Sequence, residues 1–333
     1  YLSAELGDYE FLNGNVGIKI PIGKSFHNLS YTNSSATGYL QNQNTDHIKT
    51  TFYYKYSIED GKSSTNFSFG YLNRGNGIHN HLSDDYNNQY EQNSTKFFNS
   101  KIKWDFGTVK LESNTHWFDY KDEMAQDKDI EGWENYTNNE IGCNFNSIIN
   151  YKSGSIKTGF SYNRETNSSS ALKEIKRDHF SLNHQHGLLI KQWNFNAGIS
   201  GNYYNDFGWH VAPGYQIVYT INNNANIYHK YDHGFRIPSF YELNSNDYLF
   251  SGNSNLTGET SDFFEYGIQL YSSPMTITLS MFNKNSQNVI DWYPLTSGMT
   301  KWTPANIVDV LTSGHNINFE LFPKIIKRLN FVN

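Results

Sequence analysis

The chain has 333 residues, of which 37% are hydrophobic and 17% aromatic, with a formal net charge of −6 and one cysteine. That apolar share is below the roughly 45–50% usual for soluble domains and contains no long Val/Ile/Leu run, which argues against a soluble α/β core; 25 Tyr, 23 Phe and 7 Trp argue equally against disorder. No basic stripe points to nucleic acid, the lone Cys143 excludes an intramolecular disulfide or a CxxC-type metal site, and no run of roughly 18 apolar residues marks a transmembrane helix.

Taken in chain order, the elements are strands with one apolar and one polar face. Val16, Ile18 and Ile20 alternate with Gly17 and Lys19, and Phe67, Phe69 and Tyr71 with Ser68 and Gly70. Phe98, Ile102 and Trp104 follow, then Ile156, Phe160 and Tyr162, then Trp193, Phe195, Ala197 and Ile199. Tyr215, Ile217 and Tyr219 come next, then Phe264, Tyr266, Ile268 and Leu270. Met275, Ile277, Leu279 and Met281 share a face opposite Thr276, Thr278 and Ser280, and Ile317, Phe319 and Leu321 close the series. A side-chain period of two is the signature of a strand. Cys143 alternates with Ile141, Phe145 and Ile149 and reads as a small outward apolar side chain.

The connections sort into two kinds. Tight turns with Gly, Asn, Asp and Ser chemistry fall at Gly23-Lys24, Glu59-Asp60-Gly61, Phe106-Gly107, Lys152-Ser153-Gly154, Asn222-Asn223-Asn224 and Ser272-Ser273-Pro274. Between them lie long polar links: Asn33–Thr45, Asn73–Asn93, Asp119–Glu134, Glu165–Lys176, Asp232–Glu259 and Asn288–Thr303, with a short exception at Tyr204–Gly208. About 17 strands with all long loops on one side predict an all-β transmembrane antiparallel barrel, long loops outside the cell and short turns in the periplasm. A soluble sandwich or propeller also alternates. Its strands average only about 5–6 residues, however, and it gives no reason for long and short links to alternate. The chain opens in strand at Tyr1-Leu2-Ser3-Ala4-Glu5 with no signal peptide and stops in mid-pattern at Asn333, so it reads as one barrel domain, a fragment of an exported protein, without a second domain.

No catalytic constellation stands out, and no enzyme is expected. His184 and His186 share one strand face and could share a metal; lumen or loop histidines are the plainer reading. His79 and His81 beside Asp84 and Asp85 form the candidate cation cluster, a loop calcium at most, since carboxylate oxygens suit that ion. The acidic stretch Asp119-Tyr120-Lys121-Asp122-Glu123, with Asp127, Asp129, Glu131 and Glu134, reads as a hydrated loop. Trp104, Tyr151 and Tyr271 fit interfacial girdles. The loop aromatics Tyr86, Tyr90, Tyr241, Tyr248, Phe250, Trp292 and Tyr293 are candidates for stacking on a bulky ligand, with packing inside the loops as the alternative.

One stretch is specific. Phe235-Arg236-Ile237-Pro238-Ser239-Phe240-Tyr241-Glu242-Leu243, then Gly252-Asn253, Leu256, Glu259, and Glu265 with Gly267, resembles the late-barrel signature of TonB-dependent outer-membrane receptors. Thr257-Gly258-Glu259 departs from it, since a proline usually precedes the glutamate. A second stretch, Asn288-Val289-Ile290-Asp291-Trp292, Trp302, Asn306-Ile307, Val310 and Gly314, resembles the cobalamin-receptor-like branch of Bacteroidetes, although His315-Asn316 replaces its usual glutamate. Leu6-Gly7-Asp8-Tyr9 and Asn88-Gln89-Tyr90-Glu91 are similar to that branch as well.

The resemblance implies a barrel of about 22 strands closed by an N-terminal plug of the same chain. The plug, the TonB box and about five strands then lie outside this sequence. It implies active uptake of a bulky metal chelate, a corrinoid such as cobalamin before a ferric siderophore, with TonB, outer-membrane lipid or lipopolysaccharide and a surface lipoprotein as expected partners. A passive porin-like channel is the alternative of a different class, distinguished by whether a plug is encoded upstream.

Overall fold

The computed structural model describes residues 1–38, 46–78, 88–130, 133–170, 174–246, 249–273, 275–294, 301–307 and 309–321. The strands are β1 (Leu2–Gly7), β2 (Phe11–Ile22), β3 (Ser25–Ala36), β4 (His47–Glu59), β5 (Ser63–Gly77), β6 (Tyr90–Asp105), β7 (Val109–Ala125), β8 (Glu134–Tyr151) and β9 (Gly154–Ser169). They continue with β10 (Ile175–Ile190), β11 (Trp193–Tyr204), β12 (Gly208–Asn222), β13 (Ala225–Arg236), the short helix α1 (Phe240–Asn244), β14 (Glu259–Ser272) and β15 (Met275–Gln287). The last are β16 (Ile290–Pro294), β17 (Trp302–Asn306) and β18 (Val310–Leu321).

Sixteen strands form one sheet in sequence order, β18 standing next to β15, while β16 and β17 form a separate two-stranded sheet whose Trp302 also bridges in parallel to Phe250. The expected 17 or so wall strands therefore become sixteen, plus a two-stranded hairpin that begins within the expected link Asn288–Thr303 and runs on to Asn306. No helix among the described residues is long and apolar enough to cross a membrane. The described residues divide into two compact units, one of Tyr1–Ser147, Phe160–Phe180 and Tyr204–Asp206, the other of Ile148–Gly159, Ser181–Tyr203 and Phe207–Asn333.

In the first unit, registers β4 to β7 carry Tyr54, Phe69, Phe98 and Trp117 across on one face, through the pairs Tyr54↔Phe69, Phe69↔Phe98 and Phe98↔Trp117. The other face is polar and self-neutralising. Lys101 reaches Glu112 at 2.9 Å, His116 meets Glu140 at 3.1 Å, and the buried Arg177 donates to Asp206 at 2.7 Å. Aromatic rings fill space left by cross-strand glycines on that face: a Cβ at Gly70 would overlap the Phe97 ring. Such pairing pins register, because a slip of one residue would carry the ring to the wrong face.

From β2 to β15 the strands are longer than the roughly 9–11 residues a membrane crossing needs, and this shortens several expected loops: β3 runs on to Ala36, β5 to Gly77 and β9 to Ser169, and β6 begins at Tyr90. Asp119–Glu123 is strand, within the 17-residue β7, paired Asp119↔Lys96, Asp122↔Asn93 and Glu123↔Gln92. Lys121 donates to Glu123 at 2.7 Å within the same stretch. Acidic side chains are tolerated there because the strand continues past the apolar band.

In the second unit the same division holds. Ile227, Ile268, Leu279 and Ile317 follow one another across β13, β14, β15 and β18 on the apolar face. On the polar face the Tyr228 hydroxyl donates to Glu265 at 2.8 Å, and its ring fills the space where Gly267 lacks a side chain. That explains the Glu265-x-Gly267 spacing: one residue anchors the hydroxyl and the other makes room for the ring. Gly314 accommodates Phe282 in the same way, its Cβ position lying 2.8 Å from the ring. His184 and His186 fall on the apolar face with Phe180 and Leu182, and not toward the polar one. Thr158 and Tyr151 respectively engage them, His184 Nδ1 at 3.1 Å from the threonine hydroxyl.

A conventional core is almost absent. Among described residues, the buried hydrophobic side chains are Ala125, Phe240, Leu256 and Ile290. The last three belong to the segments described next, where the chain leaves the wall.

A clamped loop module with an aromatic cluster

The long link between β13 and β14, expected as loop, folds with the β16–β17 hairpin into a small module. Its beginning is dictated by local chemistry. Ser239 is an extended residue whose hydroxyl accepts from the Glu242 N–H at 3.2 Å, while Glu242 Oε2 accepts from the Ser239 N–H at 2.7 Å. This capping box satisfies donors that a five-residue helix would otherwise leave open. Pro238, fully buried just before it, cannot continue β13 as a hydrogen-bond donor and so ends the strand.

Arg236, the last residue of β13, closes the module. Its Nη1 donates to both oxygens of Glu242, at 3.0 and 2.9 Å, and its Nη2 to Glu259 at 2.6 Å. Glu259 Oε1 also accepts from the Ile290 N–H at 2.6 Å. One planar guanidinium thus ties the end of β13, the helix, the start of β14 and the hairpin, a geometry a lysine cannot copy. Hydrogen bonds that it donates to Glu259 and Glu242 raise the guanidinium's pKa. Burial pushes the Glu242 carboxyl up, but Arg236 and the Ser239 N–H outweigh it and hold the carboxyl below its usual range.

The remaining motif residues are staples. The Asn253 side chain donates to the Pro304 carbonyl at 3.0 Å, and its backbone N–H to the Glu242 carbonyl at 2.8 Å. Asn306 accepts from the Thr257 N–H at 2.8 Å and donates to the Thr257 and Asn288 carbonyls at 3.0 and 2.7 Å. Gly252 admits no side chain, since a Cβ would stand 2.5 Å from the Asn244 nitrogen.

On this frame sit three of the loop aromatics picked out by sequence. The Tyr241 ring lies 5.8 Å from Phe250 and 5.8 Å from Trp292, and Phe250 lies 5.0 Å from Trp292, edge-to-face. Tyr241 is 48% exposed and Tyr293, next to Trp292, 43%. Tyr90 is elsewhere, opening β6 and packed 5.9 Å from Trp133, a residue that sequence reading had passed over. Tyr86, Tyr248, His79, His81, Asp84 and Asp85 lie outside the described residues, and among the described ones no three metal-ligating side chains cluster.

An apolar face over ten-residue strands, a polar face of neutralised charges, short turns at one end and a clamped module at the other define the wall of an outer-membrane β-barrel. The family model "TonB dependent receptor-like, beta-barrel" matches residues 4–319, and the chain belongs to that family. Its members are outer-membrane transport proteins and not enzymes, and this wall is placed in that membrane. A segment of 84 residues is 37% identical to the vitamin B12 transporter BtuB of Vibrio vulnificus, covering 25% of this chain and 13% of that protein. The siderophore receptor PirA of Pseudomonas aeruginosa shares the fold at TM-score 0.74 and 14% identity, over 93% of this chain and 59% of that one. The FrpB iron transporter of Neisseria meningitidis does so at TM-score 0.74 and 11% identity, over 96% and 58%. The chain therefore spans about three-fifths of the solved relatives' length.

Proposed function

We propose that the whole protein takes up a bulky metal chelate across the outer membrane in a TonB-dependent manner, and that the chelate is a corrinoid. The 84-residue likeness to a vitamin B12 transporter is the observation that supports this substrate. The Ile290-Asp291-Trp292 hairpin of the cobalamin-receptor-like pattern supports it further. The receptor's loops capture the ligand, with Tyr241, Phe250, Trp292 and Tyr293 as the contact surface and Tyr90 as a second candidate. Flat aromatic rings suit the apolar faces of a macrocycle. TonB supplies the force through a box upstream of this sequence, a surface lipoprotein shares the loop face, and any loop calcium sits at Asp84 and Asp85. A ferric siderophore is the second reading, supported by the fold shared with PirA; at 14% identity that likeness speaks to fold and not to ligand. Calorimetry on the full-length receptor decides between them. Nanomolar binding of cyanocobalamin is expected, and tight binding of a ferric catecholate with none of cyanocobalamin refutes the corrinoid.

A further inference from the structure

The apolar face of β11 to β18 carries a recess of about 720 Å³ that the uptake function leaves unexplained. Its floor is aliphatic: Ile217, Ile227, Ile268, Leu279 and Ile317, one from each of five successive strands. Bulkier rings edge it. Trp193 and Tyr219 pack at 4.6 Å at one corner, and His229 stacks on Tyr266 at 4.3 Å along the side nearer the cell exterior. His229 Nδ1 donates to the Glu265 carbonyl at 3.2 Å, and its Nε2 pairs with the Tyr215 hydroxyl at 3.1 Å. The recess is thus mainly apolar: both nitrogens of His229 are satisfied, and the polar side chains His315, Asn316 and Ser280 stand at the β15–β18 side of the lining.

Height decides which part of the membrane meets it. Ile227 is the third residue of β13, and Leu279 the fifth of β15, counted from the short turns. At about 3.4 Å per residue and a tilt near 40°, the floor stands roughly 5–15 Å above those turns, in the periplasmic half of an apolar band about 25 Å tall. We propose that this recess is a binding site for one fatty acyl chain of a phospholipid from the periplasmic leaflet. Membership of an outer-membrane barrel family supplies the premise that lipid bathes this face. The uptake proposal is not needed, so either can fail alone.

The test uses the full-length receptor, extracted in a mild detergent, with retained lipid read by native mass spectrometry. Wild type is expected to keep one phospholipid through delipidation. Leu279→Trp, which fills the floor, is expected to lower retention at least about tenfold, the equivalent of about two methylenes of lost contact. Leu182→Trp, on the apolar face of β10 and outside the recess, is expected to leave it unchanged. Should Leu279→Trp not fold, a phosphatidylethanolamine with a diazirine acyl chain is photolysed on the wild type; adducts are expected at Leu279 and Met281 over Leu182. Equal retention in both variants, even labelling of the wall, retention of lipopolysaccharide only, or occupation by a second copy of the chain each overturns the site.

Discussion

Arg236 and Glu242 face each other across six residues of sequence, Nη1 of the arginine reaching both carboxylate oxygens, at 3.0 and 2.9 Å. The pair holds the loop module because the Glu242 carboxylate also accepts from the backbone of Ser239, the N-cap of α1, and because the same guanidinium reaches Glu259. Removing the fork therefore loosens three elements together. Arg236→Lys keeps the charge but can serve one carboxylate at a time. It is expected to cost the module about 1–3 kcal/mol, the range for hydrogen bonds to charged groups. Hydrogen exchange at Phe240–Asn244 reads this out, and wild-type protection in the variant would show the fork to be dispensable.

The clamp also carries a pH dependence of definite sign. The folded Glu242 carboxyl titrates below its unfolded value, so its stabilisation is fully present above about pH 4.3. It is lost as pH falls through the lower folded value. Exchange protection of the module should hold from pH 7 down to about 5 and drop in the acid range below about 4. In Glu242→Gln that drop should be largely absent, at a lower starting protection. An acid transition of equal size in the variant would assign it to another group.

Register on the polar face depends on rings seated over glycine. Gly267→Val sets a branched side chain into the Tyr228 ring and so costs about 1–3 kcal/mol through overpacking. The variant's heat-modifiability in detergent should shift to lower temperature. Combining it with Tyr228→Ala should recover part of the loss, since the clash is with that ring. Additive losses would place the cause outside the pair.

Cys143 lies between Ile141, 48% exposed, and Phe145, 43% exposed, on the apolar face of β8. In outer-membrane vesicles it should react with an apolar maleimide and resist a charged methanethiosulfonate. The opposite order of reactivity would turn this face of β8 toward water.

The aromatic cluster bears on the proposed ligand. Trp292→Ala is expected to weaken cyanocobalamin binding about tenfold, from about 0.5–1.5 kcal/mol of ring interaction plus lost apolar contact. Heat-modifiability should stay unchanged, because the clamp bonds of Arg236, Glu242 and Glu259 do not use the Trp292 side chain. Unchanged affinity in the Trp292 variant and in Phe250→Ala would remove the cluster from the ligand site.

Alternation was enough to read the wall from sequence, because a strand's two faces differ in every second residue whatever lies around it. The face of Met275–Met281 and the turn at Gly23-Lys24, with Gly23 at φ +57°, followed from that alone. The turn between β10 and β11 gave no such signal, since Lys191 takes a positive φ of 52° without glycine, proline, asparagine, aspartate or serine beside it. Acidic composition misled at Asp119–Glu123, where the strand runs on beyond the apolar band and Lys96 and Lys121 offset the charge. The motif residues were legible as a signature, but their purpose was not.

What the sequence determined by itself was the strand faces, the side of each turn and the family, because these depend on local period and on residues in a fixed order. Only the tertiary structure decided that Tyr241, Phe250 and Trp292 meet, that Arg236 binds Glu242 and Glu259 together, and that β16 and β17 leave the wall. Those are contacts between residues up to 51 positions apart, as Asn253 is from Pro304, and they depend on where the strands return the chain. No local pattern encodes them, since the loops have no period and the partners lie far apart in the chain.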